Sequence, residues 1–188
     1  TDAGCRSPVS VDRGEFTVDD MAVAPSGEIA VVGSRRRDAE KSAFVARFAA
    51  GGMALPVLHL EGSSVVAKGE DDTAREVRAL GVAYFDDGGF VVVGSFTQCR
   101  LILGDIPLVN TSNVSRVFVV RYGADGDPTQ ALDFDGGGLN AEASAVAVLG
   151  DDEDIVITGG FSNSLDLGSV VLKGTTADMF VARLNGAT

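Results

Sequence analysis

The chain has 188 residues, 45% of them apolar, which is enough for a packed core and too many for a disordered tail. Its 15 Lys and Arg face 27 Asp and Glu, a formal net charge of -12 that repels phosphate backbones and anionic lipid and so argues against nucleic acid or membrane surfaces as partners. With 24 Gly, no Trp and one His, tight turns are plentiful and imidazole chemistry is scarce.

The first residues, Thr1-Asp2-Ala3-Gly4-Cys5, carry no basic-then-apolar leader, as in a mature secreted protein or an excised segment. The longest apolar stretch, 44–60, is interrupted by Arg47, Gly51-Gly52, Pro56 and His59, so no helical membrane span is expected. Cys5 and Cys99 are too few for a disulfide scaffold; either one bridge ties the N-terminal segment to a distant loop, or both are free thiols.

Along the chain, three anchors recur three times in the same order. A strand candidate at Pro8-Val-Ser-Val11 comes first. Ala22-Val-Ala24 then leads through the turn 25–28 into Ile-Ala-Val-Val-Gly33-Ser34, followed by Ala43-Phe-Val-Ala-Arg47-Phe48 and, after Gly51-Gly52, by Pro56-Val-Leu-His-Leu60. The only helix-like stretch, 73–80, is too short to stand alone. Val82-Ala-Tyr84 and the turn 86–89 restart the pattern with Phe90-Val-Val-Val-Gly94-Ser95, Val117-Phe-Val-Val-Arg121-Tyr122 and Gln130-Ala-Leu-Asp-Phe134. The third pass reads Ala145-Val-Ala-Val148, Asp154-Ile-Val-Ile-Thr-Gly159 and Met179-Phe-Val-Ala-Arg183-Leu184. Short runs rich in Val, Ile and Phe and bounded by Gly, Asp or Pro are strands. The expectation is an all-β chain of three four-stranded units, about 8–52, 53–126 and 127–188, forming one β-propeller segment. A β-sandwich is the alternative, but it leaves the in-register recurrence without a reason.

The Gly-Ser-Phe run followed by Phe-Val-Ala-Arg, best matched at Ile157-Thr-Gly159 and Ala177-Asp-Met-Phe-Val-Ala-Arg-Leu184, resembles the bacterial β-propeller repeats of the SBBP type over most of the chain. The resemblance implies blades, a bacterial extracellular or cell-surface setting, and no particular activity. Three blades do not close a ring, so the expected partners are a second copy of the chain, giving a six-bladed ring or an open polymer, or the rest of a longer propeller.

Two groups of residues are candidate sites. The acidic turns supply Asp125, Asp127, Asp133 and Asp135, hard oxygen ligands suited to calcium, although Asp and Gly are also what hairpin turns require. The gap from the Gly anchor to the next Phe is 11 residues in the first unit, 24 in the second and 21 in the third, so the insertions 97–115 and 162–176 mark a binding face for a glycan or protein, with Asn110, Thr111, Asn113 and Asn163 as candidate contacts. Their Leu-rich stretches, 101–104 and 165–168, read more plainly as the units' own third strands. Arg35-Arg36-Arg37 reads as a solvated turn, and the recurring Arg47, Arg121 and Arg183 as structural, each pairing with a carboxylate of a neighbouring blade. Nucleophile-elbow, phosphate-loop and zinc-helix motifs are missing from the sequence. The functional expectation is therefore a non-catalytic binding or structural module without a required cofactor. A self-assembling structural protein stands behind it, and a carboxylate-dependent glycan-active enzyme last.

Overall fold

The computed structural model describes residues 15–37, 40–65, 75–138, 140–150 and 154–186, so the strand expected at 8–11 lies outside the described residues. Every element among the described residues is a strand. Among the described residues no helix is long and apolar enough to cross a membrane, and residues 76–84 of the helix-like stretch and its continuation are strand.

The strands form three antiparallel meanders. The first comprises β1 (Glu15–Val23), β2 (Ile29–Arg37), β3 (Glu40–Phe48) and β4 (Leu58–Leu60), followed by the short β5 (Gly62–Ser64). The second comprises β6 (Glu76–Tyr84), β7 (Phe90–Thr97), β10 (Arg116–Tyr122) and β11 (Pro128–Gly136), with the hairpin β8 (Cys99–Leu103) and β9 (Ile106–Val109) inserted after β7. The third comprises β12 (Ala141–Leu149), β13 (Asp154–Phe161) and β16 (Asp178–Leu184), with the hairpin β14 (Ser164–Asp166) and β15 (Val171–Lys173) inserted after β13. Hydrogen bonding links the first two meanders, together with β14 and β15, into one ten-stranded sheet, but the join between β3 and β6 is a single pair, Lys41 with Glu76. None of the sheets closes on itself. The turn-following strands β4 and β11 pair back onto the Phe-Val strand before them, so the hydrogen-bonded units sit one strand out of phase with the sequence blocks.

The Leu-rich segments are not third strands of the meanders. Gly94 lies directly opposite Phe118 and Gly159 opposite Phe180, so the Gly strand and the Phe-Val strand are neighbours with nothing between them. The inserted hairpins instead reach back: β8 pairs with β5, which follows the first meander, and β14 pairs with the end of β11 in the second.

The recurring Gly has a steric cause. The first strand of each meander carries a bulge, at Val18/Asp20, Ala79/Gly81 and Ala143/Ala145, and there its backbone turns into the second strand. A Cβ built on Gly33, Gly94 or Gly159 would stand 1.9, 1.8 or 1.9 Å from the carbonyl oxygen of Thr17, Arg78 or Glu142. No side chain fits, so all three passes keep glycine.

The meanders stack in series. One core joins the first and second through Val32, Val45, Leu60, Phe90, Val92 and Phe118; another joins the second and third through Val91, Val93, Val117, Val119, Ile155 and Phe180. The middle sheet is thus covered on both faces. That is why Phe90-Val-Val-Val is apolar at every position instead of alternating.

The recurring arginines fasten each sheet to the next. Arg47, buried, donates to Glu28 Oε1 at 2.7 Å within its own meander and to the Ala124 carbonyl in the next, with its guanidinium 4.9 Å from the Phe90 ring centre. Arg121 donates to the Gly186 carbonyl at 2.7 Å and lies 4.4 Å from the Phe85 ring centre. Arg183 holds Asp154 of its own meander at 2.7 Å through Nε. For Arg47 and Arg183 the carboxylate partner is thus within the same sheet, whereas Arg121 acts electrostatically on Asp154 of the next sheet; the hydrogen bonds of Arg47 and Arg121 across sheets go to turn carbonyls.

Gly94→Ala is expected to cost more than about 3 kcal/mol in urea unfolding, because backbone must move, while Gly51→Ala, with nothing within 4 Å of its Cβ, stays within about 0.5 kcal/mol of the parent. The Gly186 N–H and the Arg183 guanidinium hold the Asp154 carboxyl below its ordinary pKa. A carboxyl held low favours the folded state above its unfolded pKa and loses that contribution as pH falls. Asp154→Asn should therefore lower the urea midpoint at pH 6 to 8, with the gap to the parent closing as pH drops below about 4.

Candidate functional site

The ends of the strands that carry the inserted hairpins leave a cleft of about 330 Å³ between the second and third sheets. Glu76 and Arg78 enter from the start of β6, Ser95 and Thr97 from the end of β7, and Ser115 from just before β10. The third sheet contributes Asn140 and Glu142 at the start of β12, Ser162 after β13, and Asp178 at the start of β16. The Gly-carbonyl contact sets this rim, since Arg78 and Glu142 are the residues whose carbonyls the anchor glycines accommodate. They occupy the same position in consecutive meanders.

The charges in the cleft are arranged in a chain. Lys41 Nζ is 3.1 Å from Glu76 Oε1, Arg78 Nε lies 3.8 Å from the same oxygen, and Arg78 Nη1 donates to Glu142 Oε2 at 3.0 Å. The row therefore runs across all three sheets. Asp178 Oδ2 accepts the Thr175 N–H at 2.8 Å. Ser115 Oγ bonds the backbone of Ala141 at 3.0 and 2.8 Å, stitching the second sheet to the third beneath the cleft.

The residues singled out by sequence are dispersed. Asn110 is buried, and its amide donates to the carbonyls of Phe96 at 2.9 Å and Val114 at 2.8 Å while its oxygen accepts from Ser112. It clasps its own loop and offers nothing outward. Thr111, Asn113 and Asn163 are exposed, Asn163 at φ 63 in the turn before β14. Asp125 accepts the Asp127 N–H at 3.0 Å, as turn residues do. Asp133 and Asp135 both bind Arg116, at 2.7 and 2.8 Å. Among the described residues no three His, Cys, Asp or Glu side chains gather as a metal site, so the four aspartates do not converge on one ion. His59 is exposed on β4. Arg36 and Arg37 are exposed at the end of β2, while Arg35 lies 5.9 Å from the Phe16 ring centre. Cys5 lies outside the described residues, and Cys99 is a buried free thiol on the inserted hairpin.

The cleft was not visible in sequence, because its members come from six separate strand ends. The signal that would have found it is the position one residue before the bulge, Thr17, Arg78 and Glu142, which turns from a hydroxyl to opposite charges in adjoining units.

Neither the protein-family models nor the curated proteins include a match to this chain.

Burial pushes the Cys99 thiol up to about 11, so it stays protonated at pH 8. In a Cys5→Ser variant, maleimide labelling of Cys99 at that pH should be at least about 100-fold slower in the native protein than in urea.

Proposed function

We propose that the three sheets are consecutive blades of a propeller-type repeat, half of a six-bladed ring or a stretch of a longer propeller, and that the chain is a non-catalytic extracellular or cell-surface binding module. Three observations favour blades over a sandwich. Each meander repeats the same bulge and the same glycine contact. The first strands lie side by side, β1 against β6 and β6 against β12, as strands around a common axis would. A two-layer sandwich leaves each sheet one face towards solvent, whereas here the middle sheet has none.

The observation that carries the binding role is the cleft between the second and third sheets, on the side from which both inserted hairpins emerge. Its ionised groups already have partners: Arg78 holds Glu142, Lys41 holds Glu76, and a backbone N–H holds Asp178. Such a lining suits hydrogen bonding to a neutral, hydroxyl-rich molecule better than proton transfer. The ligand class proposed is a short glycan.

The test is a panel of immobilised neutral and acidic oligosaccharides, followed by calorimetric titration of whichever is retained. A neutral oligosaccharide should bind, and Glu142→Gln or Arg78→Met should weaken it at least tenfold, about 1.4 kcal/mol. No retention across the panel, or retention indifferent to both substitutions, overturns the reading.

A further inference from the structure

Both ends of the stack repeat a surface that the interior of the stack covers. On the Phe-Val strand, Ala43 and Val45 of the first sheet are 0% exposed beneath the second sheet, and Val117 and Val119 of the second are 0% and 2% exposed beneath the third. The same two positions in the third sheet are Met179 and Val181, exposed to 76% and 64%. At the opposite end, Ala79 and Val82 are buried against the first sheet, but their counterparts in β1, Val18 and Met21, are 65% and 57% exposed. An isolated end sheet has no need of Met and Val at these positions; a docked one does.

The arginine pattern says which surface belongs on the free face. Arg47 reaches the Ala124 carbonyl, and Arg121 reaches the Gly186 carbonyl, in each case the second residue after the Phe-Val strand of the next sheet. Arg183 keeps its own Asp154 but is 61% exposed. The matching residue of a first sheet is Ala50, itself exposed in the turn after β3.

We propose that the free face of the third sheet is an interaction surface for the first sheet of a second copy of this chain. Met179 and Val181 pack on Val18 and Met21 of the second copy, and Arg183 donates to the Ala50 carbonyl of the second copy. The contact is head to tail, so the two surfaces differ and each chain carries one of each. It continues, between chains, the packing that joins the sheets within one chain, and it is separate from the glycan cleft.

The full chain is followed by light scattering from low micromolar concentration to about 200 µM. The average mass should rise with concentration above the 19.3 kDa of one chain. Val181→Asp and Met21→Asp each change an exposed side chain and should each hold the protein at one chain. Mixed in equal amounts they should form a species of two chains, because one intact face of each kind remains. Arg183→Glu should raise the dissociation constant at least tenfold with the same circular dichroism as the parent, which separates loss of docking from loss of fold. A parent chain that stays single throughout, a Val181→Asp chain that still associates, or a mixture that does not pair would overturn the proposal. A parent that stays single would leave a further repeat of a longer chain as the occupant of the face.

Discussion

A sheet that is apolar on both faces has to be covered twice, and the middle sheet of this protein meets that condition by standing between two others. The strand Phe90–Thr97 shows it most directly, with four consecutive large side chains out of contact with water. Serial stacking follows from this requirement. So does the placement of polar groups, which are driven to the strand ends, where the charge row gathers at one end and the arginines reach the next sheet's turn at the other. The close pairing that stacking needs is made possible by glycine, which lets a bulged first strand lie against the second without a side chain between them.

How legible this was depended on whether the signal lay within a strand or between strands. The Gly and Phe-Val-x-Arg anchors were legible because each is a property of one strand, read at period two, and the structural role expected for Arg47, Arg121 and Arg183 came from their common position. The Leu-rich stretches misled because a hairpin that leaves its sheet and one that stays in it have the same local alternation; only the pairing of Gly94 with Phe118 distinguishes them. Asn110 misled for a related reason. A polar residue in a variable loop looks like a contact for a ligand, yet a loop that must bury backbone carbonyls needs an amide inside it. The cleft was illegible because it is assembled by stacking.

The two ends of the strands therefore serve different purposes. At the turn end, guanidinium groups are directed to backbone carbonyls of the next sheet, a contact indifferent to the side chain there, which suits a joint that recurs with a changing sequence. At the hairpin end the charged contacts are between side chains, Arg78 with Glu142 and Lys41 with Glu76, so this part of each joint is particular to its pair of sheets. The recognition proposed for the cleft lies at the second end, where the side chains differ from one joint to the next.

The backward reach of the inserted hairpins has a consequence for how the chain acquires its structure. The first meander ends in a three-residue strand, β4, and the segment after it, β5, finds its partner only in β8, about 35 residues later. The end of β11 is likewise paired only once β14 has formed. Neither of the first two units is finished by its own residues, so emergence of either from the ribosome leaves an unsatisfied edge that waits for its successor. Such interlocking raises the average separation of contacts and slows folding, but it also makes neighbouring units unfold together. The molecule then behaves as one cooperative body rather than as three beads on a string.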